Sequence, residues 1–260
     1  MKILPTSFAL KPANTLAPWA AFLIALLLAV ATSPAHSETA DKLYIFTENY
    51  GQFNYSLQGR GFEHKPEFIG GTSTDFVKKL LTEAGLPYRM KLRKWAVSYD
   101  RALTRPYYGV YSTARTAARE ELFHWVGPIA QYNWVLFVKK GSNIRINSIE
   151  DLKKYKVGGY KGSATTAFLV EQGIEVSTLP NDSVNPRRLN DGFIDVWIAS
   201  DASAYQLAED AGYPNIERAM VIRTVDMYLA MNKSTPREWL DKLETAYEKL
   251  VAAGELKLPR

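Results

Sequence analysis

Hydrophobic and polar positions follow two kinds of periodicity along the chain, and these predict that strands and helices alternate. Short apolar runs, such as 43–49 and 193–200, are typical of buried strands. Between such runs lie segments such as 72–85, whose apolar side chains recur at helical spacing. Further strands are predicted at 88–95, 109–113, 133–140, 156–162, 176–180, 220–224 and 227–233. Further helices are predicted at 97–105, 148–155, 163–173, 185–192 and 201–212.

The last predicted helix has the best-defined ends. Thr235 is expected as its N-cap, Pro236 at its first helical position, and Gly254 just past its C-terminus. Strands and helices therefore alternate over the whole chain after the N-terminal segment. This order predicts an α/β architecture, in which sheets are covered by helices.

The N-terminal segment has the pattern of a secretory signal peptide. Lys2 and Lys11 give it a positive start, an uncharged apolar run follows at 19–31, and Ala-His-Ser (35–37) is a small-x-small cleavage signature. A transmembrane anchor is the alternative, but the apolar run is shorter than the ~20 residues that a spanning helix needs. We therefore predict a cleaved signal peptide at 1–37 and a mature protein in the periplasm.

Composition excludes several classes of function. The chain has no cysteine, hence no disulfide, no thiol chemistry and no lipid-accepting residue after the signal peptide. Only His64 and His124 follow residue 37, too few for a histidine-rich metal site, and we expect neither a metal nor a cofactor. Without the signal peptide, the chain has 30 basic and 27 acidic side chains. This small excess of positive charge gives no reason to expect a nucleic-acid partner, despite a pI of 9.1 for the whole sequence.

Six segments carry motifs that occur in the same order in one known protein family. They are FTENYGQFNY (46–55), GGTSTDFVKKLLTEAG (70–85), STARTAARE with FHWVGP (112–128), VGGYKGSATT (157–166), FIDVWIASD (193–201) and STPREWLDKLETAYEKLVAAGE (234–255). In these motifs the chain resembles the family 3 extracellular solute-binding proteins, the periplasmic amino-acid-binding components of ABC importers. It departs from the family at Gly51-Gln52, where a rigid Pro-Pro turn is common.

The resemblance implies a two-lobed periplasmic binding protein fold of type II. Each lobe is expected to be a mixed sheet flanked by helices, and the chain is expected to cross between lobes near Gln131–Trp134 and Asp226–Leu229. Lobe 1 would then comprise residues 38–131 plus 229–260, and lobe 2 residues 133–227. A ligand would enter the cleft, and the lobes of a monomer would close on it by a hinge motion.

Two arginines stand four residues apart among small side chains in STARTAARE. By resemblance, Arg119 holds the place of the arginine that binds the ligand carboxylate, with Thr116 three residues before it. A guanidinium suits this role because its planar fork can bond both carboxylate oxygens. Arg115 is either a second donor to an anionic ligand or the partner of Glu120 or Glu121 in a surface salt bridge.

The turn KGSAT (161–165) resembles the loop that meets the carboxylate from lobe 2. Ser163 is expected to offer its hydroxyl, and Ser163 and Ala164 their backbone N–H groups, at the start of a helix, where negative charge is favoured. An ordinary serine cap is the alternative reading.

An amino-acid ligand also needs an anion for its ammonium group. Asp201 is the first candidate, although the family places this acid one residue earlier, at Ser200 in this chain. Glu48, after the first strand, is the second candidate. Aromatic and polar walls are expected from Tyr50, Trp95, Tyr111 and Ser112, any of which is also compatible with plain core.

The leading hypothesis is a transport receptor that is not an enzyme. It would capture a small polar solute, an amino acid or a related carboxylate, and deliver it to an inner-membrane ABC permease. One alternative is a cyclohexadienyl dehydratase-like enzyme on the same scaffold, with both arginines on a dicarboxylate and Glu48 or Asp201 as acid. The other is a ligand-sensing receptor for a membrane signalling partner.

Overall fold

The computed structural model describes residues 42–256 and has the predicted α/β architecture. Its strands are β1 (Leu43–Thr47), β2 (Tyr55–Ser56), β3 (Ile69–Gly70), β4 (Tyr88–Leu92), β5 (Tyr108–Ala114), β6 (Phe123–Lys139), β7 (Val157–Tyr160), β8 (Val176–Leu179), β9 (Val196–Ser200) and β10 (Ile216–Asn232). Its α-helices are α1 (Thr72–Glu83), α2 (Trp95–Thr104), α3 (Ala164–Glu171), α4 (Asn185–Asn190), α5 (Ala204–Asp210) and α6 (Arg237–Ala252). Short 3-10 helices lie at Pro66–Phe68, Ala117–Leu122, Ile149–Lys154 and Asp182–Val184.

No helix within residues 42–256 combines the length and the apolar character that crossing a membrane requires. The predicted signal peptide lies outside the described residues.

Eight of the described strands form one mixed sheet. Their order is β4-β1-β5-β10-β6-β9-β7-β8, while β2 and β3 pair separately. β1 pairs in parallel with β4 and β5, and β7 pairs in parallel with β8 and β9. The long strands β6 and β10 run antiparallel to each other between these groups. The sheet therefore has two parallel parts joined by two long strands.

These long strands differ from the sequence prediction. The segment 133–140 covers only the second half of β6, and 220–224 and 227–233 belong to the single strand β10, so the prediction of two separate strands there was wrong. None of the residues 217–224 is buried, and the pairing shifts register between Val221 and Arg223. The predicted break fell at residues 225–226, where Asp226 interrupts the apolar pattern although its backbone pairs with β6 and the strand continues.

The two predicted crossings fall side by side within these strands. Gln131 of β6 lies opposite Asp226 of β10, and its Nε2 donates to Asp226 Oδ1 at 2.9 Å. The chain therefore passes between the two parts of the sheet along paired backbone. The exact lobe boundaries stay a prediction.

Helices cover the first part of the sheet through apolar faces. Val77 and Leu80 of α1 and Leu243 of α6 are completely buried in one cluster with Ile45 and Met90 of the sheet. Each such side chain stabilises the fold by about 1.5–3 kcal/mol relative to its exposed state.

The second part of the sheet is covered on both faces. Val135 and Phe137 of β6 belong to one buried cluster, whereas Leu136 and Val138 belong to another. Successive strand side chains point to opposite faces, so a strand buried on both sides is apolar at every position. This explains the uninterrupted run WVLFV in the sequence.

Helix α6 starts one residue later than predicted. Pro236 occupies its N-cap and Arg237 its first position, so the prediction of Thr235 as N-cap was wrong. Thr235 is buried, and its Oγ1 accepts a hydrogen bond from the backbone N–H of Tyr107 at 3.2 Å. The hydroxyl thus makes a tertiary hydrogen bond instead of the helix cap that the local pattern predicted. Gly254 follows the helix end, as predicted.

Candidate functional site

A cavity lies at the carboxyl ends of strands from both parallel parts of the sheet. The chain leaves β1 into Glu48 and β5 towards Arg119, while β7 and β9 end at Tyr160 and Ser200. This is the edge where ligands bind in open α/β sheets. The cavity has a volume of about 50 Å³. The lining residues are Glu48, Tyr50, Trp95, Ser112, Ala114, Arg119, Tyr132, Tyr160, Ser163, Ala164, Thr165, Asp182, Ala199, Ser200 and Ser203.

The structure brings together most, but not all, of the predicted site residues. Those that line the cavity are Glu48, Tyr50, Trp95, Ser112, Arg119, Ser163 and Ala164. Those that do not line it are Tyr111, Arg115, Thr116 and Asp201.

Arg119 is the only described cation among the lining residues, and it is 8% exposed. It lies on the 3-10 helix after β5, and its Nη2 donates to the carbonyl of Gly162 at 3.1 Å. Its guanidinium carbon lies 5.5 Å from the ring centre of Trp95 and 5.0 Å from that of Tyr99. Burial lowers the pKa of Arg119 from its ordinary value, and Tyr99 opposes this shift. Because a guanidinium keeps its proton even so, the cavity holds a fixed cation between aromatic faces.

The carbonyl of Gly162 joins the two parts of the molecule at this point. It accepts from Arg119 and also from Trp95 Nε1, at 3.1 Å. Gly162 has a φ of +79°, a conformation that favours glycine, at the turn between β7 and α3. The turn therefore aims a backbone acceptor at two side chains from the first part of the sheet.

Ser163 caps helix α3. Its Oγ accepts from the backbone N–H of Thr166 at 3.1 Å and shares a hydrogen with Thr165 Oγ1 at 2.9 Å. The structure thus shows the cap, while ligand contact by Ser163 and Ala164 stays a prediction. Since both residues line the cavity, the positive end of α3 faces the same space as Arg119.

Two carboxyl groups share the cavity. Tyr160 donates to Glu48 Oε2 at 3.2 Å. Burial raises the pKa of Glu48 to about 8; the bond from Tyr160 opposes this shift and the nearby Asp182 adds to it. Burial also raises the pKa of Asp182 to about 6, although Asn185 and Trp197 donate to its Oδ1 at 2.7 and 2.9 Å.

Tyr50 and Ser112 complete the wall next to β1 and β5. The ring of Tyr50 meets the ring of Tyr132 edge to face, with centres 5.9 Å apart. Ser112 has a φ of +57°, an uncommon conformation for a residue with a side chain, and its Oγ donates to Asn54 Oδ1 at 2.5 Å. Strained backbone of this kind is often found at binding sites.

The two charged residues outside the cavity are paired with other side chains. Arg115 makes a two-pronged salt bridge with Glu120, with 2.8 Å from its Nε, and is half exposed, which matches the surface alternative for this residue. Asp201 accepts from the backbone and the side chain of Asn133 at 3.0 and 2.8 Å and lies 3.5 Å from Arg218.

The two uncharged residues outside the cavity have local roles. Tyr111 is buried, and its hydroxyl bonds Thr74 at 2.9 Å. The backbone carbonyl of Thr116 accepts from the backbone N–H of Arg119 at 2.9 Å.

Sequence reasoning missed three side chains of the cavity that carry chemistry. Tyr160 lies within the recognised segment VGGYKGSATT, and Tyr132 lies within the predicted crossing, so both had a positional signal. Asp182 had none, because an acid at the start of a short helix is ordinarily a cap.

Comparison with solved structures identifies the fold of the chain. A scan against protein-family models and a search of curated sequences found no match. Among solved structures, a histidine kinase sensor domain with similarity to periplasmic binding proteins aligns with a TM-score of 0.72 at 13% identity, over 84% of this chain and 93% of that one.

Two amino-acid-binding proteins align similarly. An ancestral arginine-binding protein bound to arginine has a TM-score of 0.68 at 21% identity, over 83% of this chain and 94% of that one. The amino acid ABC transporter substrate-binding protein AbpA from Streptococcus pneumoniae, bound to L-arginine, has a TM-score of 0.68 at 20% identity, over 84% and 92%. The chain therefore has the two-lobed α/β fold of the periplasmic binding proteins, as its resemblance to family 3 implied.

Proposed function

We propose that the protein is a periplasmic receptor that captures an amino acid or a related small carboxylate between its two lobes and delivers it to an ABC transporter. The observation that carries this proposal is the buried guanidinium of Arg119, which lines a cavity together with the N-terminus of α3. A fork-shaped cation and a helix N-terminus are complementary to a carboxylate. Amino-acid-binding neighbours with the same fold support it.

In this proposal the two lobes are those that the resemblance implies, residues 38–131 plus 229–260 and residues 133–227, and the two long strands join them. Arg119 and Trp95 of lobe 1 meet Gly162 of lobe 2, which supports a cleft that closes around the ligand.

A thermal-shift screen of the purified, ligand-stripped protein tests the proposal. The panel holds the amino acids, small dicarboxylates, polyamines and prephenate. A ligand at about 1,000 times its dissociation constant adds ~4 kcal/mol to the free energy of unfolding, which raises the Tm by several degrees. No shift from any carboxylate would contradict the proposal, and turnover of prephenate would favour the dehydratase alternative.

A ligand-sensing receptor is the second candidate. The histidine kinase sensor domain with the same fold favours it. Ligand-dependent cross-linking in native membranes separates the two candidates. Capture of an ABC permease supports delivery, and capture of a sensor kinase supports signalling.

Closure of the proposed cleft brings two backbones into contact at Gly51. A Cβ added there would lie 1.9 Å from the carbonyl oxygen of Ala202. We expect Gly51→Ala to weaken binding of the panel's best ligand about tenfold, because the first lobe can no longer approach Ala202 as closely. Titration calorimetry measures the loss.

Gly59→Ala is the matched control for this substitution. Gly59 has a φ of +67°, close to the +51° of Gly51, but an added Cβ would have nothing within 4 Å. Both substitutions therefore strain the backbone, and only one blocks the contact. Equal affinities of the two variants would show that the Gly51–Ala202 contact has no part in binding.

A further inference from the structure

The walls of the cavity have an unequal number of acids and bases. Glu48 and Asp182 line it with a single guanidinium, that of Arg119. The hydrogen bonds described for the two carboxyl groups come from neutral donors, namely Tyr160, Asn185 and Trp197.

The described hydrogen bonds of the Arg119 guanidinium go to backbone carbonyls and not to either carboxyl group. Arg119 donates to the carbonyls of Gly162, at 3.1 Å, and Ala114, at 3.5 Å, and it stacks on aromatic rings. With both acids ionised, the lining carries one negative charge more than it carries positive. Removing a carboxylate from water without an ion-pair partner is costly, so the protonated form of both carboxyl groups is more favoured here than in water.

We propose that the cavity binds a solute of net positive charge, whose cationic groups lie against Glu48 and Asp182 while its carboxylate meets Arg119. This inference rests on the proposed binding function and narrows its ligand to the basic amino acids. One carboxylate and two cationic groups then match one guanidinium and two carboxylates. The acids come from different lobes, so a cationic ligand also joins the lobes.

Binding of such a ligand displaces a proton. Four charged or titratable groups interact electrostatically with Glu48. They are Tyr160 of β7, Asp182 after β8, Arg119 after β5, and Tyr50 in the same loop as Glu48. With a pKa of about 8, Glu48 is mostly protonated at pH 7, and with a pKa of about 6 Asp182 is mostly ionised. The cation favours the ionised form of both, so about one proton leaves on binding at pH 7.

Titration calorimetry with L-arginine and L-citrulline tests the inference, because citrulline has nearly the same shape without the side-chain charge. We expect arginine to bind at least about tenfold more tightly than citrulline. Heats measured in phosphate and in Tris at pH 7 should show release of about one proton for arginine. The affinity for arginine should rise about tenfold or more from pH 6 to pH 7.5, because protons compete less at the higher pH.

Two variants and one control assign the effect to the acids. Each of Glu48→Gln and Asp182→Asn should weaken arginine binding at least about tenfold. The variant at the acid that meets the side-chain cation should also lose the preference for arginine over citrulline, whereas the variant at the acid that meets the α-ammonium should weaken both ligands alike. Glu48→Gln should lose proton release at pH 7, and Asp182→Asn should keep it. Glu150→Gln, on an exposed 3-10 helix, should change none of these properties.

The outcomes separate this inference from the proposed function. If citrulline or acidic amino acids bind as tightly as arginine, and no proton is released, the inference is overturned while the receptor function stands. If the variants keep the full arginine preference, the assignment to these acids is overturned. If no amino acid of any charge binds, both the inference and the proposed function fail.

Discussion

Replacing Arg119 by alanine is expected to weaken binding of a carboxylate ligand by about 2–4 kcal/mol, or roughly 30- to 1,000-fold. The ligand carboxylate would then be buried without its cation, and that penalty accounts for most of the loss. The fold should survive, because Trp95 still donates to the carbonyl of Gly162 that Arg119 shares. Titration calorimetry of the ligand found in the thermal-shift screen measures the loss, and circular dichroism checks the fold.

Arg115→Ala is the matched control for this prediction. The two arginines stand four residues apart, but Arg115 is paired with Glu120 outside the cavity. Its removal should leave affinity within about twofold, because an exposed ion pair contributes little to stability and this one has no contact with the cavity. Arg119→Lys should retain only part of the binding, since an ammonium lacks the planar fork. Equal losses from Arg115→Ala and Arg119→Ala would contradict the assignment.

The fold could be predicted from sequence wherever an element is buried along its whole length. Helix α1 keeps its apolar face from Phe76 to Leu81, and its predicted and observed bounds differ by two residues at one end. Prediction was wrong for β10, because Asp226 interrupts its apolar pattern while its backbone still pairs with β6. It was also wrong for Thr235, whose hydroxyl serves a residue far away in sequence.

Only part of the candidate site could likewise be predicted from the sequence. A family pattern places residues by position along the chain, and it placed Arg119 and Ser163 at the cavity. It cannot correct an acid that is one residue late, because successive side chains at a strand end point to different sides. Ser200 accordingly lines the cavity, whereas Asp201 bonds Asn133 outside it. The acids that line the cavity are Glu48, the second candidate from the sequence, and Asp182, which the sequence analysis did not select.

The stability of the ligand-free protein should fall as pH rises from about 4.5 to about 8, and Glu48→Gln should remove much of this slope. The pKa of Glu48 is raised from 4.5 to about 8 by burial, so the folded state holds a proton that the unfolded state releases in this window. The stabilisation is complete below pH 4.5 and lost as pH passes 8. Asp182, with its pKa raised to about 6, adds to the slope at the acidic end.

The glutamine variant isolates the contribution of Glu48. Its amide is always neutral, so at pH 8.5 we expect it to be more stable than the parent by about 2 kcal/mol, roughly half of the full shift because the side chain is partly exposed. At pH 5 the two proteins should unfold alike in urea.

Glu120→Gln is a control in which the stability difference from the parent should have the opposite sign. The bond from Arg115 lowers the pKa of Glu120, so that carboxylate stabilises the fold at high pH. If the parent and Glu48→Gln keep the same stability difference from pH 5 to pH 8.5, Glu48 is ionised throughout. The cavity would then carry its negative charge without a bound proton, and cation binding would show no dependence on the pKa of Glu48.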